Sequence, residues 1–168
     1  MPSTNNIVSG SDDDSIKMWN SSLKLITTLT GHSDAVSALV ILPLTENIVS
    51  ASWDETIKIW NSKSFELITT LTGHSYAVNA LVILPSNENI VSGSSDNTTK
   101  IWDSKTFRLI ANLSKHSSYV YALAVIPSLP ISSTSNTIKL WNSQSFLLTA
   151  TLISCFHVKS FLRISAKN

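Results

Sequence analysis

Short apolar runs alternate with turn-forming residues along the whole chain, at intervals of about ten residues. The runs are rich in Val, Ile, Leu and Thr, and Pro, Gly, Asn, Asp and Ser gather between them. This pattern is typical of short β-strands joined by tight turns. No stretch has helical periodicity, so we expect an all-β fold. Where the pattern is clearest it predicts four consecutive strands, at Val36–Leu42, Asn47–Ser52, Thr56–Asn61 and Glu66–Thr72.

The four-strand pattern repeats along the chain. Histidines mark the period of 41 or 42 residues, at His32, His74, His116 and His157. Such self-similarity indicates a repeat array, in which each repeat leaves an apolar face that its neighbours cover. We therefore divide the chain into a partial first repeat at 5–31, complete repeats at 32–73 and 74–115, a degenerate fourth repeat at 116–156, and a candidate closing strand at 157–168.

The first and fourth repeats depart from this pattern. The first has no opening strand, and Val158–Ala166 is a candidate for it because this segment follows His157 as Val36–Leu42 follows His32. In the fourth, the stretch from Pro127 to Trp141 is three residues shorter than its counterpart in the third, which predicts a shortened turn or a damaged strand. The sequence leaves open whether four repeats close alone, pair with a second chain or belong to a longer protein. We favour the interpretation that the chain is a fragment of a longer repeat protein or a truncated repeat protein.

The first and last strands of each repeat differ in character. The first is apolar on both faces, with Val36, Val78 and Val120 at equivalent places, whereas the last mixes Leu and Ile with Thr. A run that is apolar on both faces predicts a strand buried on both sides. We therefore expect a buried inner strand and a half-exposed outer strand in each repeat, in sheets arranged radially.

Three recurring motifs carry a resemblance to a known family. They are the Gly-His pairs at Gly31 and Gly73, the Ser-x-Ser-x-Asp turns at Ser50–Asp54 and Ser92–Asp96, and the Trp-Asp pair at Trp102. Together they resemble the WD-repeat β-propeller family of transducin β-like repeats. The resemblance implies about four blades, each a four-stranded antiparallel sheet, in a partial or small propeller. It also implies a non-catalytic scaffold for protein–protein interaction.

The resemblance further implies a buried hydrogen-bonded tetrad in each blade, in which Asp holds His, His meets Ser, and Ser meets the Trp indole. Such groups can satisfy one another. Carried over by position, the tetrads are His32, Ser50, Asp54 and Trp60 in the second repeat, His74, Ser92, Asp96 and Trp102 in the third, and Ser9, Asp13 and Trp19 in the first, where only His157 could supply the histidine.

Some positions depart from the family pattern. Asn follows the tryptophan at Trp19, Trp60 and Trp141, which keeps the indole and loses a charge. In the fourth repeat Ile131 aligns with Ser50, and Ser135 aligns with Asp54, so we expect that tetrad to be broken.

His, Ser and Asp together also suggest a hydrolase. A catalytic triad needs one exposed nucleophile, whereas these residues recur at a fixed period, the serine lies in an apolar strand, and no Gly-x-Ser-x-Gly motif is present. The histidines lie one to a repeat with no second ligand nearby, so we expect no metal and no cofactor. Asp12, Asp14 and Asp34 are the loose candidates for an enzyme site, which we weigh as the lesser alternative. Another alternative is a degenerate repeat fragment without independent function.

The composition of the chain restricts the classes of partner that it is expected to bind. Charged residues make up 14% of the chain and the formal net charge is +1, with ten lysines scattered singly and two arginines. This favours neither nucleic acid nor an anionic membrane. The single cysteine, Cys155, cannot form an intramolecular disulfide, and no signal peptide is evident, so we expect an intracellular, cytoplasmic protein.

Candidate partner-binding residues lie on the face that carries the Gly-His loops and the Asp turns. In the WD-repeat family, which this chain resembles, that face is a common docking surface. Trp53 stands where the other repeats have Asp12 and Ser95, and tryptophan is enriched in binding hot spots. Near the opening strands, Asp34 aligns with Tyr76, and Ala35 aligns with Tyr119. We expect Trp53, Asp34, Tyr76, Asp12 and Tyr119 to contact a protein or peptide. Self-association through open blade edges is a further expectation.

Overall fold

The computed structural model describes residues 6–126, 135–141 and 148–155, and all regular structure in these residues is β-strand. The first two sheets belong to the N-terminal unit, residues 1–79. Sheet 1 consists of β1 Ile7–Gly10, β2 Ile16–Trp19 and β3 Leu25–Leu29. Sheet 2 consists of β4 Val36–Ile41, β5 Ile48–Ser52, β6 Ile57–Trp60 and β7 Leu67–Leu71. In both sheets consecutive strands pair antiparallel.

The other two sheets lie mainly in the C-terminal unit, residues 80–168. Sheet 3 has the order β8 Val78–Ile83, β9 Ile90–Ser94, β10 Thr99–Trp102 and β11 Leu109–Leu113. Sheet 4 has the order β12 Leu123–Ile126, β13 Ser135–Trp141 and β14 Leu148–Cys155. The four strands predicted between Val36 and Thr72 are therefore confirmed, with ends shifted by one residue at most.

The predicted irregularities of the first and fourth repeats are visible in these sheets. Among the described residues, sheet 1 has no opening strand, as expected. Sheet 4 has three described strands, and β13 pairs with both β12 and β14. The alignment of Ser135 with the turn residue Asp54 was wrong, because Ser135 begins β13 and pairs with Cys155. Ile131, His157 and Val158–Ala166 lie outside the described residues.

The most buried strand of a repeat is the second and not the first. Every residue of β5 and of β9 is buried, whereas β4 exposes Ser37 and Ile41. The prediction of an opening strand buried on both sides was therefore wrong. A central strand has neighbours on both edges and layers on both faces, and an apolar run alone does not distinguish it from an edge strand. The last strands, β3, β7 and β11, are half-exposed as predicted.

The turns recur with the same backbone geometry. Non-glycine residues adopt positive φ, between 58° and 69°, at matching places in the three kinds of turn. This left-handed conformation is tolerated best by Asn, Asp and Gly, so the turns, and not the side chains, impose it. Counting strands within a full repeat of four, the residues are Asp14, Glu55 and Asn97 after the second strand, Glu46 and Glu88 after the first, and Leu23, Phe65 and Phe107 after the third.

Neighbouring sheets approach closely within each unit. In the N-terminal unit a Cβ added to Gly10 would lie 2.5 Å from Val36 Cγ1, and the Val36 N–H donates to the Ser11 carbonyl at 3.0 Å. The C-terminal unit repeats this contact between Gly93 and Val120. An apolar core lies beside the first contact and contains Ile16, Met18, Leu29, Val36, Ile48 and Trp60. The sheets are thus held by apolar burial and by hydrogen bonds at the starts of the opening strands.

Thr99 is a polar residue at an apolar place. It is completely buried, its Oγ1 has no hydrogen-bond partner among the described residues, and the equivalent residues in the first and second repeats are Ile16 and Ile57. A buried hydroxyl without a partner costs about 1–3 kcal/mol. We expect Thr99→Val to raise the free energy of unfolding by about 1–2 kcal/mol, measured by urea denaturation.

The adjacent Thr98 is the matched control. Its Oγ1 donates to Asp96 Oδ1 at 2.6 Å, so Thr98→Val removes a bond that is made and should lower the free energy of unfolding. A loss of stability in both variants would contradict the assignment of Thr99 as an unpaired polar group.

Candidate functional site

The four tetrad residues of the second repeat meet inside the N-terminal unit. His32 Nδ1 lies 2.7 Å from Asp54 Oδ2, and His32 Nε2 lies 2.8 Å from Ser50 Oγ. The Trp60 indole N–H donates to the same Ser50 oxygen at 2.8 Å. Strand β5 positions Ser50, β6 positions Trp60, and the turn between them carries Asp54, while His32 comes from the loop before β4. A register shift between Ile59 and Trp60 sets the indole at the end of β6.

The hydrogen bonds define the direction of proton donation. Because the Ser50 oxygen accepts from Trp60, its hydroxyl hydrogen is available to His32 Nε2, and His32 Nδ1–H then donates to Asp54. This is a neutral imidazole with one defined tautomer. Asp54 also accepts from the Thr56 hydroxyl at 2.7 Å and from the Ser33 N–H at 3.1 Å. The carboxylate therefore ties the loop before β4 to the turn after β5.

Burial controls the protonation of this pair. It lowers the pKa of His32 by penalising the charged imidazolium, and this outweighs the opposing effect of the hydrogen bond that His32 donates to Asp54. Burial alone would raise the pKa of Asp54, but the hydrogen bonds from Thr56, His32 and two backbone N–H groups lower it below the ordinary value. The pair is thus a neutral donor and an anionic acceptor.

The buried tetrad has no access to a substrate. Ser50 is completely buried, and both His32 and Asp54 have almost fully buried side chains. A nucleophilic serine must reach the substrate carbonyl while its base accepts the proton. Here the serine oxygen is already shared between the imidazole and the indole. The arrangement can therefore hold strands together, and it offers no nucleophile at the surface.

The first repeat uses a lysine where the second uses a histidine. Trp19 donates to Ser9 Oγ at 3.0 Å, as its counterpart does in the second repeat. Asp13 instead accepts from Ser15 Oγ at 2.5 Å and forms an ion pair with Lys17 at 3.0 Å. The hydrogen bonds from Ser15 and Lys17 hold the pKa of Asp13 well below its usual range. This group is exposed, so Lys17 neutralises the carboxylate without a buried network.

Sequence reasoning missed this part of the site. Lys58 and Lys100 occupy the position of Lys17 in the second and third repeats, and Thr56 and Thr98 occupy the position of Ser15. The recurrence of a hydroxyl two residues after each turn Asp was a visible signal, because such a side chain can bond the carboxylate that begins its own turn. No pattern in the sequence indicated that, among the described residues, Lys17 and not a histidine is the partner of Asp13 in the first repeat.

The third repeat reproduces the serine, aspartate and tryptophan geometry. Trp102 donates to Ser92 Oγ at 2.9 Å, and Asp96 accepts from both the N–H and the hydroxyl of Thr98. These residues lie in the C-terminal unit. His74, the fourth member assigned by position, is buried near the end of the N-terminal unit.

The fourth repeat retains a histidine without its serine. His116 Nε2 is buried and has no hydrogen-bond partner within the described part of the chain. Burial lowers the pKa of His116, as for His32, but no carboxylate opposes the shift. The aligned Ile131, which has no hydroxyl to offer, lies outside the described residues.

The candidate partner-binding residues are exposed on the turn side of the tetrads. Their aromatic members expose 53% of Trp53, 62% of Tyr76 and 52% of Tyr119, and Asp12 and Asp34 are also exposed. The Trp53 N–H donates to the Ala35 carbonyl at 3.0 Å, so its backbone is fixed although its indole is free of the core. In the C-terminal unit, Tyr119 packs edge-to-face on Tyr121, with ring centroids 6.0 Å apart.

A search for metal-binding clusters of His, Cys, Asp and Glu found none among the described residues. Within the same residues, no helix has the length and apolar character needed to cross a membrane.

The repeats of this chain match a known protein family. The WD domain, G-beta repeat, matches residues 1–20, 23–61, 65–103 and 107–142. The chain belongs to this WD-repeat family. Its described fold is all-β, with antiparallel sheets of three or four strands, which correspond to the blades of a WD-repeat β-propeller. A search of curated proteins found no match.

The matched segments are offset from the sheets. The segment 23–61 begins with β3 of sheet 1 and ends with β6 of sheet 2, and the later segments continue in the same way. Each sequence repeat therefore crosses from one sheet to the next, and within a unit the chain itself ties neighbouring WD blades together. Repeats of this family generally mediate protein–protein interaction and typically serve as non-catalytic scaffolds.

The buried tetrad gives a direct stability prediction. Ser50→Ala leaves the Trp60 N–H and His32 Nε2 without a partner in the interior, at about 1–3 kcal/mol for each buried group. We expect urea denaturation to show a loss of about 2–4 kcal/mol in the free energy of unfolding. Ser9→Ala is the matched control, because Ser9 is exposed and water can replace it, so its loss should stay below about 1 kcal/mol. Equal losses would contradict a special role for the buried network.

The lowered histidine pKa values predict acid sensitivity. The folded pKa of His32 lies below the ordinary value of about 6.5, so the unfolded chain binds the proton first as the pH falls. The associated stability is complete above about pH 6.5 and declines below it, and the lowered pKa of His116 acts in the same direction. We expect urea denaturation at pH 7, 6 and 5 to show falling stability. The double variant His32→Asn/His116→Asn should show a smaller decline, and a rise toward pH 5 in the wild type would refute the assignment.

Proposed function

We propose that the chain is a non-catalytic scaffold that binds a protein or peptide through its turn surface. The turn surface comprises the turns 11–15, 30–35, 53–56 and 72–77 of the N-terminal unit. The observation that carries the proposal is the exposure of Trp53 on this surface, since half of a large indole remains in water. The equivalent residues Asp12 and Ser95 are polar, so blade architecture does not require an aromatic ring there.

The distribution of polar chemistry supports a binding role. The His, Ser and Trp side chains of the second tetrad are all buried and are engaged with one another and with Asp54. They specify the blade, which leaves the variable exposed residues as the means of recognition. The proposed contact residues are Trp53, Asp34, Tyr76 and Asp12 in the N-terminal unit, and Tyr119 in the C-terminal unit. The single cysteine fits a reducing, cytoplasmic setting, which we include in the proposal.

A second candidate function is self-association through an open edge. Strand β1 pairs only with β2 among the described strands, so its other edge offers unpaired backbone groups. A groove of about 760 Å³ runs beside it and is lined by Val8, Met18, Leu39 and Ile41, with Glu46 and Lys63 at its margin. Such a groove suits an added extended strand.

The scaffold proposal predicts a specific effect of Trp53→Ala. We expect peptides selected from a random library on the full chain to lose about 5-fold to 100-fold in affinity, because hot-spot tryptophans contribute on the order of 1–3 kcal/mol. The melting temperature should change by no more than a few degrees, since the indole is half-exposed.

Leu44→Ala is the matched control, since Leu44 is 79% exposed in a turn at the other end of sheet 2 and its loss should leave binding intact. Light scattering on the same samples separates peptide binding from self-association. If selected peptides bind Trp53→Ala as well as they bind wild type, this surface is not the binding site. If no peptide is selected, the chain is better described as a degenerate repeat without a partner.

A further inference from the structure

The proposed function does not specify the chemistry of the partner. The exposed side chains of the turn surface indicate that chemistry. Two aromatic rings stand out from this surface, with exposed fractions of 53% for Trp53 and 62% for Tyr76. Exposed indole and phenol faces attract apolar groups and cations alike. The surrounding charges distinguish between these two.

The charge on the turn surface has one sign. Its four turns contain no Lys or Arg and carry the acidic residues Asp12, Asp13, Asp14, Asp34, Asp54 and Glu55. Two of these are engaged, because Asp13 is neutralised by Lys17, and Asp54 accepts the buried hydrogen bonds of the tetrad. The other four, Asp12, Asp14, Asp34 and Glu55, have no cationic partner in the described structure and leave a net negative surface.

Hydrogen bonds join three of these turns, 11–15, 30–35 and 53–56, into one continuous surface. Val36 N–H donates to Ser11 O at 3.0 Å and joins the first Asp turn to the start of β4. Ser52 Oγ donates to Asp34 O at 2.8 Å, and the neighbouring Trp53 N–H donates to Ala35 O at 3.0 Å. The loop that carries Asp34 is thereby held against the turn that carries Trp53. The acidic groups and the indole are thus fixed in the same neighbourhood.

The opposite ends of the same strands provide an internal comparison. The turns there carry Lys24 and Lys63 together with Glu46 and Glu66, so positive and negative charges balance. In the C-terminal unit, the loop that carries Tyr119 also contains Lys115. Negative charge without compensation is therefore a property of the turn surface of the N-terminal unit, where the exposed tryptophan also lies.

We propose that the turn surface of the N-terminal unit binds an extended peptide segment rich in Lys or Arg, an inference that rests on the proposed scaffold function. One cationic side chain stacks on the face of the Trp53 indole, and neighbouring cations lie near Asp12, Asp34 and Glu55. Cation–π attraction and Coulomb attraction reinforce each other in this arrangement. Both favour a basic partner and oppose a phosphorylated one.

The test uses the full chain and four labelled nine-residue peptides with a common Gly-Ala-Ser background, carrying three Lys, three Arg, three Gln or three Glu. Fluorescence anisotropy at 50 and 300 mM NaCl measures Kd. We expect the Lys and Arg peptides to bind at least about tenfold more tightly than the Gln peptide, and the Glu peptide to bind least, with the advantage shrinking at high salt because exposed charges are screened.

Matched variants locate the interaction. The double variant Asp12→Asn/Glu55→Gln should weaken the Lys peptide several-fold, whereas Glu46→Gln/Glu66→Gln, with the same change in net charge at the opposite end, should leave Kd unchanged. Trp53→Ala should weaken it about 2-fold to 5-fold, and Trp53→Phe should weaken it less, because a phenyl face retains part of the cation–π attraction. Equal weakening by both double variants would show general charge attraction and would overturn the proposal.

The outcomes separate this inference from the scaffold proposal. Trp53-dependent binding of the Gln or Glu peptide in preference to the Lys peptide would overturn the basic partner and leave the scaffold in place. Library selection that yields no peptide at all would overturn the scaffold itself. Circular dichroism and thermal melting of each variant check that the exposed substitutions leave the fold unchanged.

Discussion

The hydrogen-bonded chain from Trp60 through Ser50 and His32 to Asp54 is the constraint on which the second blade depends. It links the two central strands β5 and β6, the turn between them and the loop that begins the sheet. Each group is buried or nearly so, so each bond is made in a medium where its loss leaves a costly unpaired partner. The network thus sets the register of the sheet, and it holds its turn in the position from which Trp53 projects.

Comparison among the repeats shows how far this constraint can be relaxed. In the first repeat Asp13 is exposed and forms an ion pair with Lys17, so water and a surface charge pair together stabilise the carboxylate there. Thr99 and His116 show the opposite situation, since each keeps a buried polar atom without a partner in the described structure. Among the described residues, the second repeat has no buried side-chain polar atom without a partner, whereas the third repeat has two and the fourth has one.

Structure and recognition are separated along the strands of the N-terminal unit. The polar residues of the second tetrad are buried, whereas the residues that differ between repeats, Trp53, Asp34 and Tyr76, are exposed at the turns. Since exposed turn residues add little to blade stability, they can vary without loss of the fold. The resulting surface is acidic and aromatic at one end and balanced in charge at the other. This asymmetry is the physical basis for assigning both a binding face and a class of partner.

The sequence by itself determined the strands and the turn positions, because these follow from local chemistry that is repeated at a fixed period, and its resemblance to the WD-repeat family implied the members of the second tetrad. It also showed that the fourth repeat is three residues shorter between Pro127 and Trp141 than its counterpart in the third. Only the tertiary structure decided that β5 and β9, and not the opening strands, are the most buried, since burial depends on layers that come from distant parts of the chain. The ion pair of Lys17 with Asp13, the unpaired Thr99 hydroxyl and the exposure of Trp53 were decided in the same way. Each depends on which atoms lie within a few ångströms of one another, and periodicity along a chain does not specify those distances.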